Sequence, residues 1–174
     1  LNPCINNFQY VDQLQTAFPD LEKLTLWKSS YSAMGCSNQT PWPSIRRFKL
    51  QGDCDYSRPQ QGPGTLNLPQ VLAKFNRLEQ LALQLSEHPN AAIDYNPLGN
   101  LATLRGLTKL YLNCYNNAGN NTYTPTISNT LLQQMGPQLP NLRTLYLARA
   151  TQAMVQALTT HFRQLQALCL VHSW

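Results

Sequence analysis

The stretch Leu139 to Leu147, LPNLRTLYL, places apolar residues at its first, fourth, seventh and ninth positions and polar ones between most of them. The same frame returns as Phe18 to Leu26 (FPDLEKLTL), Trp42 to Leu50 (WPSIRRFKL) and Phe75 to Leu83 (FNRLEQLAL). It recurs again as Leu104 to Leu112 (LRGLTKLYL) and Phe162 to Leu170 (FRQLQALCL). Successive copies start 24, 33, 29, 35 and 23 residues apart. The closing L-x-L of each copy alternates with period two, which predicts a strand with one face buried and one solvated. Ahead of several copies the apolar spacing changes to three and four, as in Leu68/Val71/Leu72/Phe75, Leu131/Leu132/Met135/Leu139 and Met154/Val155/Leu158/Phe162. That spacing predicts helices, with Asn96-Pro97, Ser128 and Thr151 as start signals.

Working outward, the unit reads strand, loop, helix. Such a unit cannot bury its own apolar face, whereas a stack of them can. The expected fold is therefore α/β: a solenoid with a curved parallel sheet on its concave side and helices and loops on its convex side. A doubly wound sheet would need longer Val- and Ile-rich strands buried on both faces. This chain has 29 Leu against 4 Ile and 4 Val, and polar residues separate the strand leucines. Residues 1–174 read as a single domain of about six repeats. Leu1-Asn2-Pro3-Cys4 is similar to the end of an earlier strand, and the last copy runs out at Trp174, so the expectation is a portion of a longer chain.

The LxxLxL frame with intervening helices resembles the leucine-rich-repeat superfamily across essentially the whole chain. The irregular spacing is similar to its intracellular branches, the ribonuclease-inhibitor type and the repeats attached to F-box proteins. That resemblance implies a protein-binding scaffold, most concretely the substrate-recognition part of an F-box-type ubiquitin-ligase receptor in cytoplasm or nucleus. No F-box lies within these residues. The family's Asn three residues after the last Leu is replaced here by Ser29, Asp53, Ser86, Tyr115, Ala150 and Ser173, so no asparagine ladder is expected at the turns.

Composition narrows the function classes. Charged residues make up 12 % of the chain and the net charge is +5, which permits an acidic partner but lacks the dense Lys/Arg clustering of a dedicated nucleic-acid binder. No apolar run approaches the roughly 20 residues of a membrane span. Five cysteines without a C-x-x-C pair point to free thiols, with Cys36–Cys54 as the first exception to look for. The triplets Asn38-Gln39-Thr40 and Asn120-Asn121-Thr122 are the only features favouring a secreted recognition protein. His88, His161 and His172 occupy unrelated frame positions, and Gly62-Pro63-Gly64 lacks the ending of a phosphate loop. Neither an active site, a metal nor a cofactor is expected, and a small-molecule substrate is not indicated.

Binding surfaces remain. Strand alternation turns Lys23, Trp27, Arg47, Lys49, Lys109, Tyr111 and Tyr146 away from the core, and none of the chain's acids occupies an outward frame position. Aromatic and cationic side chains are the types that anchor interfaces. The long insertions at 27–41, 51–67, 84–96 and 113–128 share one slot in the repeat and hold five of eight tyrosines, Tyr115 and Tyr123 among them. Insertions crowded on one rim offer a second contact surface. The partner expected is a protein; the charge permits an acidic one, and nucleic acid is not favoured. The alternatives are a structural subunit of a large assembly whose basic face grips RNA or an acidic protein, and a secreted or surface recognition protein.

Overall fold

A computed structural model of the chain describes residues 11–28, 40–53, 68–87, 104–116, 129–148 and 152–171. Six strands and four helices run in chain order: α1 (Val11–Ala17), β1 (Lys23–Lys28), β2 (Arg47–Asp53), α2 (Leu68–Ala73), β3 (Gln80–Glu87), β4 (Lys109–Asn116), α3 (Asn129–Gln138), β5 (Thr144–Ala148), α4 (Gln152–His161) and β6 (Ala167–Val171). The strands form one parallel sheet in strictly sequential order, β1 to β6. The fold is α/β, and every neighbour in the sheet is also the neighbour in sequence.

The six frames lie in direct correspondence across the sheet. Their sixth residues form one row, in which Lys23 pairs with Arg47, Arg47 with Gln80, Gln80 with Lys109, Lys109 with Thr144 and Thr144 with Ala167. Main-chain hydrogen bonds explain the constancy. The fourth frame residue donates its N–H to the carbonyl of the first in all six copies, as Leu21 does to Phe18 (3.2 Å) and Leu142 to Leu139 (3.1 Å). The first four residues of the frame are thus a hydrogen-bonded turn. One carbonyl per copy then accepts two consecutive N–H groups from the next: Arg46 and Arg47 donate to Glu22, Glu79 and Gln80 to Arg46, and Thr108 and Lys109 to Glu79. Arg143 and Thr144 donate to Thr108, and Gln166 and Ala167 to Arg143, all at 2.8–3.0 Å. A carbonyl oxygen has two lone pairs, so it can accept both N–H groups at each step.

Side chains also bridge successive turns. Ser44 Oγ donates to the Pro19 carbonyl at 2.5 Å, and Asn141 Nδ2 donates to the Arg105 carbonyl at 2.8 Å. Both donors hold the third frame position and both acceptors the second of the copy before. Thr108 Oγ1 adds a third bond to the Glu79 carbonyl at 3.0 Å.

The apolar frame residues and the inner helix faces build one core. Leu24, Leu50, Leu81, Leu83, Leu110 and Leu145 are fully buried, with Val71, Leu132, Met135 and Leu158 from the helices. The expected helical closure holds: the N–H groups of Phe18, Leu139 and Phe162 return to Leu14, Met135 and Leu158 at 2.8–3.0 Å. Among the described residues no helix lies between β1 and β2, and Trp42 fills that place. Its ring lies 6.3 Å from Phe75, which in turn lies 5.0 Å from Phe48, and its Nε1–H reaches the Pro19 carbonyl at 3.3 Å. Burying a tryptophan this way satisfies its polar end while its body fills the core.

Some expectations change. Val155 is exposed and Ala157 takes the inward position on α4, because the turn into Phe162 sets the helix rotation. Four strands run on into the expected insertions, β1 to Lys28, β2 to Asp53, β3 to Glu87 and β4 to Asn116, so Tyr115 belongs to a strand rather than to a loop. The helix start at Asn96-Pro97, the N-cap candidates Ser128 and Thr151, Cys36, both glycosylation triplets apart from Thr40, and the bulk of the insertions lie outside the described residues. Among the described residues no helix is long and apolar enough to cross a membrane.

Candidate functional site

The outward face of the sheet is organised by the same register as the core. Its first row is Lys23, Arg47, Gln80, Lys109, Thr144, Ala167, and its second is Thr25, Lys49, Ala82, Tyr111, Tyr146, Cys169. Trp27, Gln51, Gln84 and Asn113 open a third. Neighbouring strands stand about 4.8 Å apart, so residues adjacent in a row are in reach of each other.

Along these rows the chemistry is graded. Over β1 and β2 sit Lys23, Arg47 and Lys49, with Trp27 beside them at 42 % exposure. Over β4 and β5 Tyr111 and Tyr146 form a tilted pair with ring centroids 5.9 Å apart. Tyr111 is 36 % exposed, and Lys109 lies one row away. Over β6 the face is small and neutral, Ala167 and the free thiol of Cys169, both exposed. Thr25 is an exception to outward exposure at 8 %, shielded by the longer side chains around it.

Between the cationic and aromatic zones the rows pass through Ala82. Its single methyl leaves a shallow depression of about 200 Å³, walled by Lys23, Arg47, Lys49, Gln80 and Tyr111. Among the described residues no acidic side chain lines this depression. The one ion pair among the described residues, Arg46 to Glu79 at 3.1 Å, lies on the turns at the strand entrances. Lys23, Arg47, Lys49 and Lys109 make no ion pair among the described residues.

Of the residues singled out from sequence, Lys23, Trp27, Arg47, Lys49, Lys109, Tyr111 and Tyr146 come together on this one face. Tyr115 lies on β4 opposite Ser86, and Tyr123 falls outside the described residues. The depression was not anticipated. Its signal was present in the alternation, since Ala82 is the one small residue between Lys49 and Tyr111, but absent bulk shows only once the neighbours are known. A second hollow, of about 280 Å³, opens on the turn side between Gly136, Pro140, His161 and Arg163. Among the described residues no cluster of three or more His, Cys, Asp and Glu side chains forms.

Comparison with known proteins finds no matching family model, no similar curated protein and no matching solved structure.

Proposed function

We propose that the chain is a leucine-rich-repeat solenoid acting as a non-catalytic protein-interaction scaffold, with the outward sheet face as its contact surface. The observation that carries this reading is the face itself: two rows of side chains in unbroken register, cationic at one side and aromatic at the other, with no described helix packed over them. The single-neighbour strand order and the repeated turn-and-acceptor bonding support the repeat reading. In its most concrete form the chain is the substrate-recognition part of an F-box-type ubiquitin-ligase receptor inside the cell.

The test is crosslinking capture in cells with the native chain and with an Arg47→Ala/Tyr111→Ala/Tyr146→Ala variant, quantified by mass spectrometry. A defined set of proteins should be lost with the variant while its circular dichroism stays native. For the ligase form, ubiquitination of those proteins should fall with it. An unchanged set would remove the sheet face from the function.

A further inference from the structure

We propose that the depression over Ala82 is a subsite for a single carboxylate of an extended partner peptide, with the Tyr111–Tyr146 pair taking an apolar side chain two residues along. This rests on the reading of the sheet face as the partner surface and names the chemistry it selects.

The placement follows from the register. Lys49 and Tyr111 flank Ala82 in its own row, Gln80 is two residues away on the same strand, and Arg47 and Lys23 extend the adjacent row. Three cations and an amide thus face a hollow of about 200 Å³ into which no described acid points. A hydrogen bond to a charged group is stronger than one between neutral groups, and the walls limit how much water competes for it. One to two strand spacings farther, about 5–10 Å, stands the tyrosine pair. Same-face side chains of an extended peptide repeat about every 6.6–7 Å. A peptide crossing the strands therefore sets an acid over Ala82 and the next same-face residue on the tyrosines, a pattern acidic-x-apolar.

The charge distribution favours peptide over nucleic acid. A phosphate backbone is gripped by cations spread along its path, and its affinity scales with their number. Here three of the four outward cations gather on β1 and β2, and beyond Lys109 the face is uncharged through Ala148.

The experiment uses the whole chain and three fluorescently labelled probes read by anisotropy: a dodecapeptide of repeated Glu-Ser-Leu-Ser, its Gln-for-Glu counterpart, and decauridine RNA. The Glu peptide should bind at least about tenfold more tightly than the Gln peptide. Lys49→Gln and Arg47→Gln should each weaken it by about tenfold, a loss typical of one charge-assisted hydrogen bond. Ala82→Leu, which fills the hollow and keeps every charge, should weaken it as much. Arg105→Gln, an exposed cation on a turn, should leave it unchanged. Equal binding of the two peptides, no binding of either, tighter binding of decauridine, or indifference to Ala82→Leu would each overturn the assignment. Should the captured proteins still depend on Tyr111 and Tyr146 while the peptides bind alike, only the carboxylate subsite fails. If the captured set ignores the face as well, the scaffold reading fails with it.

Discussion

The two outer strands carry the same motif with opposite results. In β1 the inward Leu24 and Leu26 are 0 % and 1 % exposed, whereas Leu168 of β6 is 43 % exposed although its register partner Leu145 is at 0 %. The turns reverse the order: Phe18 ahead of β1 is 43 % exposed, while Phe162 ahead of β6 is buried. Both strands are entered by a helix, α1 and α4 respectively. The contrast lies on their far sides. The segment after β1 brings Trp42, hydrogen-bonded to Pro19, against the core, and no described element comes after β6. The same frame position is therefore buried in one strand and exposed in another. Burial here belongs to the stack and not to the frame.

That difference has a large measurable consequence. Leu81→Ala, at a fully buried position in the middle of the sheet, should cost about 2–5 kcal/mol in urea unfolding. Leu168→Ala removes the same atoms from the same frame position and should cost under about 1 kcal/mol, because water already reaches that side chain. Equal losses would mean that the β6 leucine is covered in solution and would dissolve the comparison.

The same distinction marks what was legible in the residues. The six frames, their strands and the side each residue faces follow from alternation and spacing alone, since both are local rules. The seven outward residues that meet on the face were legible for that reason. Val155 and Ala157 were not, because both suit an inner helix face and only the turn into Phe162 sets which one turns in. The depression at Ala82 depends on Lys49 and Tyr111 lying 33 and 29 positions away and yet adjacent, as the sequential register makes them. The third-position bridges from Ser44 and Asn141 were missed because the expected ladder residue sits elsewhere in the frame.

A second effect, smaller than that of the central leucine, separates the interior of the helix layer from its surface. A Cβ on Gly136 would sit 2.7 Å from both the Cβ and the carbonyl oxygen of His161, so α3 and α4 approach through this glycine. Gly136→Ala must push the helices apart and should cost about 1–3 kcal/mol. Gly106→Ala meets only the Leu78 carbonyl at 3.6 Å, an ordinary contact, and should be neutral or stabilise by up to about 1 kcal/mol through the unfolded chain. Thermal unfolding of the two variants side by side checks this. A neutral Gly136→Ala would show that α3 and α4 are not locked at that distance.

On the outward face stability should barely respond. Lys109→Ala should shift unfolding by no more than about 0.5 kcal/mol, because its side chain is exposed and makes no described ion pair. A loss comparable to that of Leu81→Ala would mean that the row is structural and would remove its main claim to be a binding surface.

The smallest effect belongs to the Arg46–Glu79 pair. Its nitrogen and oxygen stand 3.1 Å apart, yet the side chains are 39 % and 48 % exposed, so water and salt screen them. A double-mutant cycle with Arg46→Ala and Glu79→Ala should return a coupling of about 0.2–0.5 kcal/mol that fades in 1 M salt. The main chains of the same two residues do more. The Arg46 carbonyl accepts from Glu79 and Gln80, and the Glu79 carbonyl accepts from Thr108, Lys109 and the Thr108 hydroxyl. None of those bonds is lost when the side chains are cut back. A coupling above about 1.5 kcal/mol, insensitive to salt, would show instead that the charges help hold neighbouring copies in register. Two exposed side chains, rather than the doubled carbonyl, would then be aligning β2 with β3.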